Sequence, residues 1–245
     1  MAKVAVIVAA AGKGERFGTE EKKTFASLEG TPIFLKTLEA FVNREDVCQT
    51  ILAVAPEDML RIREKYGTNL AFMGVQLAEG GAHRCQTVRS ALKLVKPDAE
   101  LVAVHDAVRP CVTYFMIDAV FAEAAKTGAA ILAAPLHGTI KAVSGAKVVD
   151  RTLPRENLYE AQTPQVFRRD LLNAAYDRAA DLGENITDDA QLVEALGHPV
   201  SVVESDATNL KVTTKPDLKL ATYLYKNKPR PPVEGPRSPF EEAQW

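Results

Sequence analysis

Cysteine is scarce in this sequence. Cys48, Cys85 and Cys111 are the only three in 245 residues, odd in number and far apart. That argues against a disulfide framework and a thiolate zinc site, and fits reduced, structural thiols. Charge of one sign is missing too: 30 Lys+Arg stand against 32 Asp+Glu, a net −2. Bulk nucleic-acid binding is thereby disfavoured, while a local basic pocket is not. No apolar run approaches the roughly 18 residues needed to cross a bilayer. The first residues lack the shape of a signal peptide, since the apolar run from Val4 goes straight into glycines and charges. The expectation is a cytoplasmic protein with no membrane and no nucleic-acid partner. Serine or cysteine nucleophiles paired with a histidine base are also absent as a pattern, which makes His105 structural and the three thiols inert.

What is present is a rhythm. "VAVIVAA" (4–10) is apolar and β-branched throughout, as expected of a strand buried on both faces. Helices are predicted at 32–43, 56–67 (closed by Gly67), 83–95 and 113–128, alternating with strands at 49–55, 73–81, 100–110 and 129–136. This alternation predicts an α/β fold: an open, mostly parallel, Rossmann-like sheet with helices on both faces. The rhythm breaks at 137–159, where valines alternate around "SGAK"; this reads as a β-arm standing off the sheet. Helices return at 168–183 and 187–197, the second with Thr187 as its N-cap, followed by a strand at 200–205, an extended segment from 209 and a helix at 215–226. Residues 1–228 form one domain in this reading. The tail 229–245, with five prolines, forms an extended appendage.

In open parallel sheets ligands bind at the carboxyl ends of strands. Four loops there are chemically loaded. "AAGKGERFG" (10–18) follows the first strand; its glycines let N–H groups converge on an anion, and Arg16, Lys22 and Lys23 supply cations. Its third glycine falls one place late for the dinucleotide fingerprint, and the Walker pattern is absent. A plain glycine-rich turn with solvated charges is the competing reading. "EGGAHR" (79–84) offers glycines where a base could lie on backbone, then Arg84 and Thr87. "HDAVRP" (105–110) places Asp106 and Arg109 beyond a buried strand; they suit a hydroxyl or Mg²⁺ and a phosphate, or an ion pair bracing the loop. Lys211, in an extended apolar stretch, is either a ligand contact or a solvated lysine. In "TDDA" (187–190), Asp188 and Asp189 favour the helix dipole.

These motifs, with "AAILAAPL--TIK", "TPQVF", "ITDDA--VE-LG" and "NLKVTT", resemble the 2-C-methyl-D-erythritol 4-phosphate cytidylyltransferases of the nonmevalonate isoprenoid pathway over residues 3–225. The resemblance implies a nucleotide-diphospho-sugar transferase type of fold and transfer of CMP from CTP to the polyol phosphate, with Mg²⁺. It implies that Arg16 and Lys23 stabilise the transition state at the triphosphate and that Ala10, Ala11, Gly12 and Gly14 form the triphosphate loop. Gly81, Arg84, Thr87 and Ala107 match the cytosine and ribose end. Asp106, Arg109, Thr187 and Lys211 match positions around the sugar phosphate. Thr139 and Arg155 lie on the arm, which implies a homodimer with arm exchange and composite sites. This chain has "KKT" (22–24) where many relatives have Pro-Lys-Gln, so Lys22 and Lys23 compete for one role. Gly138 and Ala82 stand where acidic residues are common. The rival readings are a cytidylyltransferase for another polyol phosphate, such as ribitol 5-phosphate, and a non-catalytic nucleotide-binding regulator.

Overall fold

The computed structural model describes residues 2–12, 17, 22–179 and 186–229. The expected tail (229–245) lies outside these residues but for Pro229, as do Gly14, Arg16 and the end of the helix expected at 168–183. In chain order the elements are β1 (Val4–Ala9), β2 (Ser27–Leu28), β3 (Thr31–Pro32), α1 (Ile33–Leu38), β4 (Val47–Val54), α2 (Met59–Phe72), β5 (Val75–Glu79), α3 (Arg84–Leu92), β6 (Leu101–Asp106) and α4 (Tyr114–Thr127). There follow β7 (Ala129–Pro135), β8 (Ile140–Val143), β9 (Val149–Leu153), β10 (Tyr159–Arg168), α5 (Arg169–Asp177), α6 (Asp189–Glu194), β11 (Ser201–Glu204) and α7 (Lys215–Asn227).

Seven strands form one sheet in the order β11-β7-β10-β6-β1-β4-β5. The pairs of β1 with β4 and β6, β4 with β5, and β7 with β11 are parallel. Alternate residues of β1 feed two cores. Val4, Val6 and Val8 pack with Phe34, Leu38, Phe41, Ile62 and Ile117 on one face. Ile7 packs with Val88, Leu172, Tyr176 and Leu192 on the other. The unbroken apolar run of β1 is thus the signature of a strand covered twice, each large buried side chain contributing about 1.5–3 kcal/mol.

Strand β10 departs from expectation. It runs antiparallel between β6 and β7, with a register shift between Ala161 and Gln165. A proline cannot donate to a ladder, so Pro164 hid this strand from pattern reading; the shift accommodates it. Helix α2 also differs, running through Gly67 to Phe72. Tyr66, Leu70 and Met73 continue its buried stripe, and Gly74, at φ +64°, follows its end. Helix α1 stops at Leu38, short of the expected 43, and continues as turns. The segment from 209 is neither helix nor strand. The arm is a hairpin of β8 and β9 forming its own two-stranded sheet, closed by the 144–148 turn with Lys147 at φ +58°.

Candidate active site

The carboxyl ends of β1, β5 and β6 open onto one cavity of about 150 Å³. Ala9, Ala10, Ala11 and Gly12 form one wall, and Lys23 and Thr24 another. Ala82, His83, Arg84 and Thr87 come from the β5–α3 loop and the start of α3. The two loops meet closely because residue 80 has no side chain: a Cβ on Gly80 would lie 2.9 Å from Thr87 and 3.0 Å from Ala11. One on Gly81 would lie 2.5 Å from Gln86 Cβ. Thr87 itself is buried, accepting the Gly81 N–H at 3.1 Å and donating to the His83 carbonyl at 3.1 Å. Its first task is to shape this loop.

The two adjacent lysines part ways. Lys22 Nζ lies 2.8 Å from Glu57 and 2.7 Å from Asp58. Lys23 lines the cavity. Ala107 does not line it; it is buried, with its N–H on the Ala9 carbonyl and its carbonyl on the Thr37 hydroxyl.

Asp106 is the hub. Lys211 Nζ lies 2.8 Å from Oδ2, Arg109 Nε 3.4 Å from Oδ2, and Arg84 Nε 3.8 Å from Oδ1. Burial alone would raise the Asp106 pKa, but Lys211, Arg84 and Arg109 outweigh it and hold the carboxyl well below the usual range. Arg84 turns its Nη2 to Asp189, 2.7 Å away and fully buried. Arg84, Arg109 and Lys211 stand against Asp106, Asp188 and Asp189, and Lys23 on the first hollow leaves one positive charge over. That field favours an anion. Arg109 is only 4% exposed; its Nη1 donates to the Asn209 carbonyl at 2.6 Å. The expected bracing ion pair is present, and Arg109 also lines a second hollow.

That second hollow, about 180 Å³, shares Arg84, Asp106 and Lys211 with the first and adds Thr163, Gln165, Thr187 and Asp188. Thr187 does not cap its helix, contrary to expectation. Asp188 does, accepting the Gln191 N–H at 3.1 Å, because it stands one residue before the first helical turn. Asp189 stands in the first turn of α6, as the helix-dipole reading expects, and also holds Arg84 and accepts from the Tyr176 hydroxyl. Thr139 and Arg155, on the arm, line neither hollow of their own chain. Arg155 Nη1 donates to the His137 carbonyl.

His105 is fully buried and neutral, its pKa pushed down to about 4 chiefly by burial. Thr163 Oγ1 accepts the Asp106 N–H at 3.0 Å, and its hydroxyl donates to His105 Nδ1 at 3.1 Å, because the other ring nitrogen faces a carbonyl and must carry the proton. Nε2 then carries the proton and donates to the Arg109 carbonyl at 3.1 Å. The histidine ties the two ends of the Asp106–Arg109 turn together. Cys111 is buried, and its thiol is pushed up to about 11 by burial, which suits an inert side chain. The motif "TPQVF" contains Thr163 and Gln165, but sequence reasoning names neither them nor Tyr176 as supports, because they meet the site only across the sheet.

An α/β sheet with paired hollows at its carboxyl edge, lined by cations and, among the described residues, by neither serine nor cysteine, has the form of a nucleotidyltransferase. The comparisons narrow this. The family model of 2-C-methyl-D-erythritol 4-phosphate cytidylyltransferase matches residues 4–227, and the chain belongs to that family. A relative of that name from Rhodopirellula baltica is 45% identical over 234 residues, covering 91% of this chain and 95% of its own. One from Solibacter usitatus is 44% identical, covering 89% and 94%. The crystal structure of the Thermus thermophilus enzyme superposes with a TM-score of 0.76 at 34% identity, covering 92% of this chain and all of the other.

Proposed function

We propose that this chain transfers CMP from CTP to 2-C-methyl-D-erythritol 4-phosphate and releases pyrophosphate. The observation that carries the reading is the wall of Arg84, Asp106 and Lys211 shared by two adjoining hollows, in a chain of this family. Two polyanions must lie side by side for one to attack the other. An oxygen of the acceptor phosphate forms a bond to the α-phosphorus of CTP, and the bond from that phosphorus to pyrophosphate breaks in line with it. No covalent enzyme intermediate is needed, which accords with inert thiols and a neutral, fully bonded His105. The protein aligns the reactants and meets charge that grows on the α-phosphoryl group and the leaving pyrophosphate.

In this reading Ala10, Ala11, Gly12, Gly14, Arg16 and Lys23 hold the triphosphate. Gly81, Arg84 and Thr87 frame the cytidine, with Ala107 buried behind the cavity wall rather than on it. Lys211, with Asp106, Arg109 and Thr187, holds the acceptor. Thr139 and Arg155 come from the arm of a second copy in a homodimer. Both Asp106 oxygens are taken by cations, and among the described residues no group of three His, Cys, Asp or Glu is placed to hold a metal. In this reading Mg²⁺ is carried mainly by the triphosphate, and Asp106 would lend it a carboxylate only by releasing one of its cations. That ion would neutralise phosphate charge. The reading places the enzyme in the cytoplasm; among the described residues no helix is long and apolar enough to cross a membrane.

Pyrophosphate release with CTP and 2-C-methyl-D-erythritol 4-phosphate tests the reading. Turnover with that acceptor and CTP, and little with UTP or with ribitol 5-phosphate, is the expected result. Preference for ribitol 5-phosphate would move the acceptor assignment, and binding of CTP without turnover on any polyol phosphate would make the chain a regulator.

A further inference from the structure

The segment 205–212 brings Lys211 to Asp106 with no helix or strand to guide it. A chain without regular structure needs its course set by particular bonds. The ends are pinned by backbone, Ser205 N–H to the Ala133 carbonyl and Val212 N–H to the Val108 carbonyl, both at 2.9 Å; between them, the side-chain bonds come from two residues of β10. Gln162 and Thr163 are buried at the register shift of that strand. Gln162 Oε1 accepts from Asn209 Nδ2 at 2.8 Å and from the Ser205 hydroxyl at 2.9 Å, and its Nε2 donates to the Asp206 carbonyl at 3.0 Å. Asn209, fully buried, gives its second Nδ2 proton to the Thr163 carbonyl at 2.9 Å. Its backbone carbonyl receives Arg109 Nη1. Thr163 meanwhile holds the Asp106 N–H. One short stretch of β10 therefore grips both partners of the Lys211–Asp106 pair: Asp106 through Thr163, and the lysine's segment through Gln162 and Asn209.

We propose that Asn209 and Gln162 are positioning residues that set Lys211 against Asp106. Two amide protons on one short side chain are what this junction uses, one for Gln162 and one for Thr163. Aspartate, serine and leucine at 209 cannot supply both. Neither residue lines either hollow, so any effect on the reaction passes through Lys211 and its neighbours. The inference rests on the role given to Lys211 under the proposed function.

The test is a double-mutant cycle on pyrophosphate release, joined to a crystal structure. Asn209→Leu, confirmed folded by circular dichroism, is expected to lower kcat about tenfold to a hundredfold, the range for unmaking buried hydrogen bonds at a site. In a Lys211→Ala background the same change is expected to lower the residual rate less than twofold. An equal loss in both backgrounds, an unchanged kcat in the folded single variant, or a Lys211→Ala enzyme as fast as wild type would each overturn the proposal. Asn209→Ser and Gln162→Met carry the same cycle where the leucine variant does not fold. The crystal structure of the variant reads the geometry without any turnover, so it separates this proposal from the proposed reaction. Lys211 Nζ drawn away from Asp106 is expected, and a separation still at 2.8 Å would refute the positioning role.

Discussion

Around Asp106, Arg109 of the same turn and Arg84 and Lys211 from distant parts of the chain converge on one buried carboxylate. On the β8–β9 arm, Thr139 and Arg155 stand exposed, beside and beyond a hairpin whose strands pair only with each other. The proposed reaction gives both regions to the acceptor, yet they are set in opposite surroundings. The Asp106 cluster is held from behind by His105, Thr163, Asp189 and Asn209, all under 9% exposed. Its electrostatics are organised before any ligand arrives, and low exposure strengthens every pair in it. The arm has exposed Val143, Val148 and Val149, and a lone two-stranded hairpin is marginal in water. In the proposed homodimer a second copy would cover it. One region is organised within its own chain; the other is left exposed by it.

The largest effect should come from opening the organised side. Lys211→Ala is expected to reduce kcat about 10²–10³-fold, as for loss of one charge-assisted contact to a transition state. Pyrophosphate release checks this, and melting temperature should change little because Arg84 and Arg109 still neutralise Asp106. A variant within threefold of wild type would mean that Asp106, not Lys211, organises the acceptor.

Acid should next distinguish the two regions. His105 stays neutral when folded, with its pKa near 4 against an ordinary 6.5. The unfolded chain takes up a proton first as pH falls, so the stability this residue contributes is fully present above about pH 6.5 and lost between there and about pH 4. Over that window the loss is about 3 kcal/mol. His105→Gln should flatten the corresponding slope in melting temperature. Identical slopes in the two proteins would mean that the turn, not the ring, carries the acid sensitivity.

On the arm, Arg155→Ala should lower kcat/KM for the acceptor about tenfold to a hundredfold, as for removal of one exposed cation from a phosphate. If the arms are exchanged, the Arg155→Ala and Lys211→Ala chains fail in different copies of a site. Mixing them with subunit exchange should then restore up to about half of one dimer's activity, because a heterodimer has one site with both residues. Verified heterodimers without recovered turnover would remove the shared site.

The smallest effect tests whether the hairpin is local. Lys147 sits at φ +58°, a conformation that costs most residues about 1–2 kcal/mol and glycine little. Lys147→Gly should change global melting by no more than a degree or two and leave kcat alone. A shift of many degrees in a calorimetric scan would show the arm coupled to the core.

Much of the site was legible as motifs and little of it as geometry. Lys23, Arg84, Asp106 and Lys211 were named from loops at strand ends, and all four line the cavity. What no spacing reveals is that Lys22 is claimed by Glu57 and Asp58, leaving its neighbour to the cavity wall. Nor does it reveal that Asp189 serves an arginine over a hundred positions away. Polar residues inside an apolar frame were the available signal for Gln162, Gln165 and Asn209, but their partners lie on other elements, and a pattern read along the chain is blind to those.

The sequence by itself determined the alternation of buried strand and helix, the placing of charged loops at strand ends, the separate arm and the family. These follow from local periods and from motifs a few residues long, where neighbours in the chain are neighbours in space. Only the tertiary structure decided that β10 enters the sheet antiparallel between β6 and β7, that α2 runs on through Gly67, and that one carboxylate gathers three cations. The reason is the same for each. A proline in a strand, a glycine in a helix and a buried charge are unfavourable locally, and they persist where contacts from distant residues more than offset the cost.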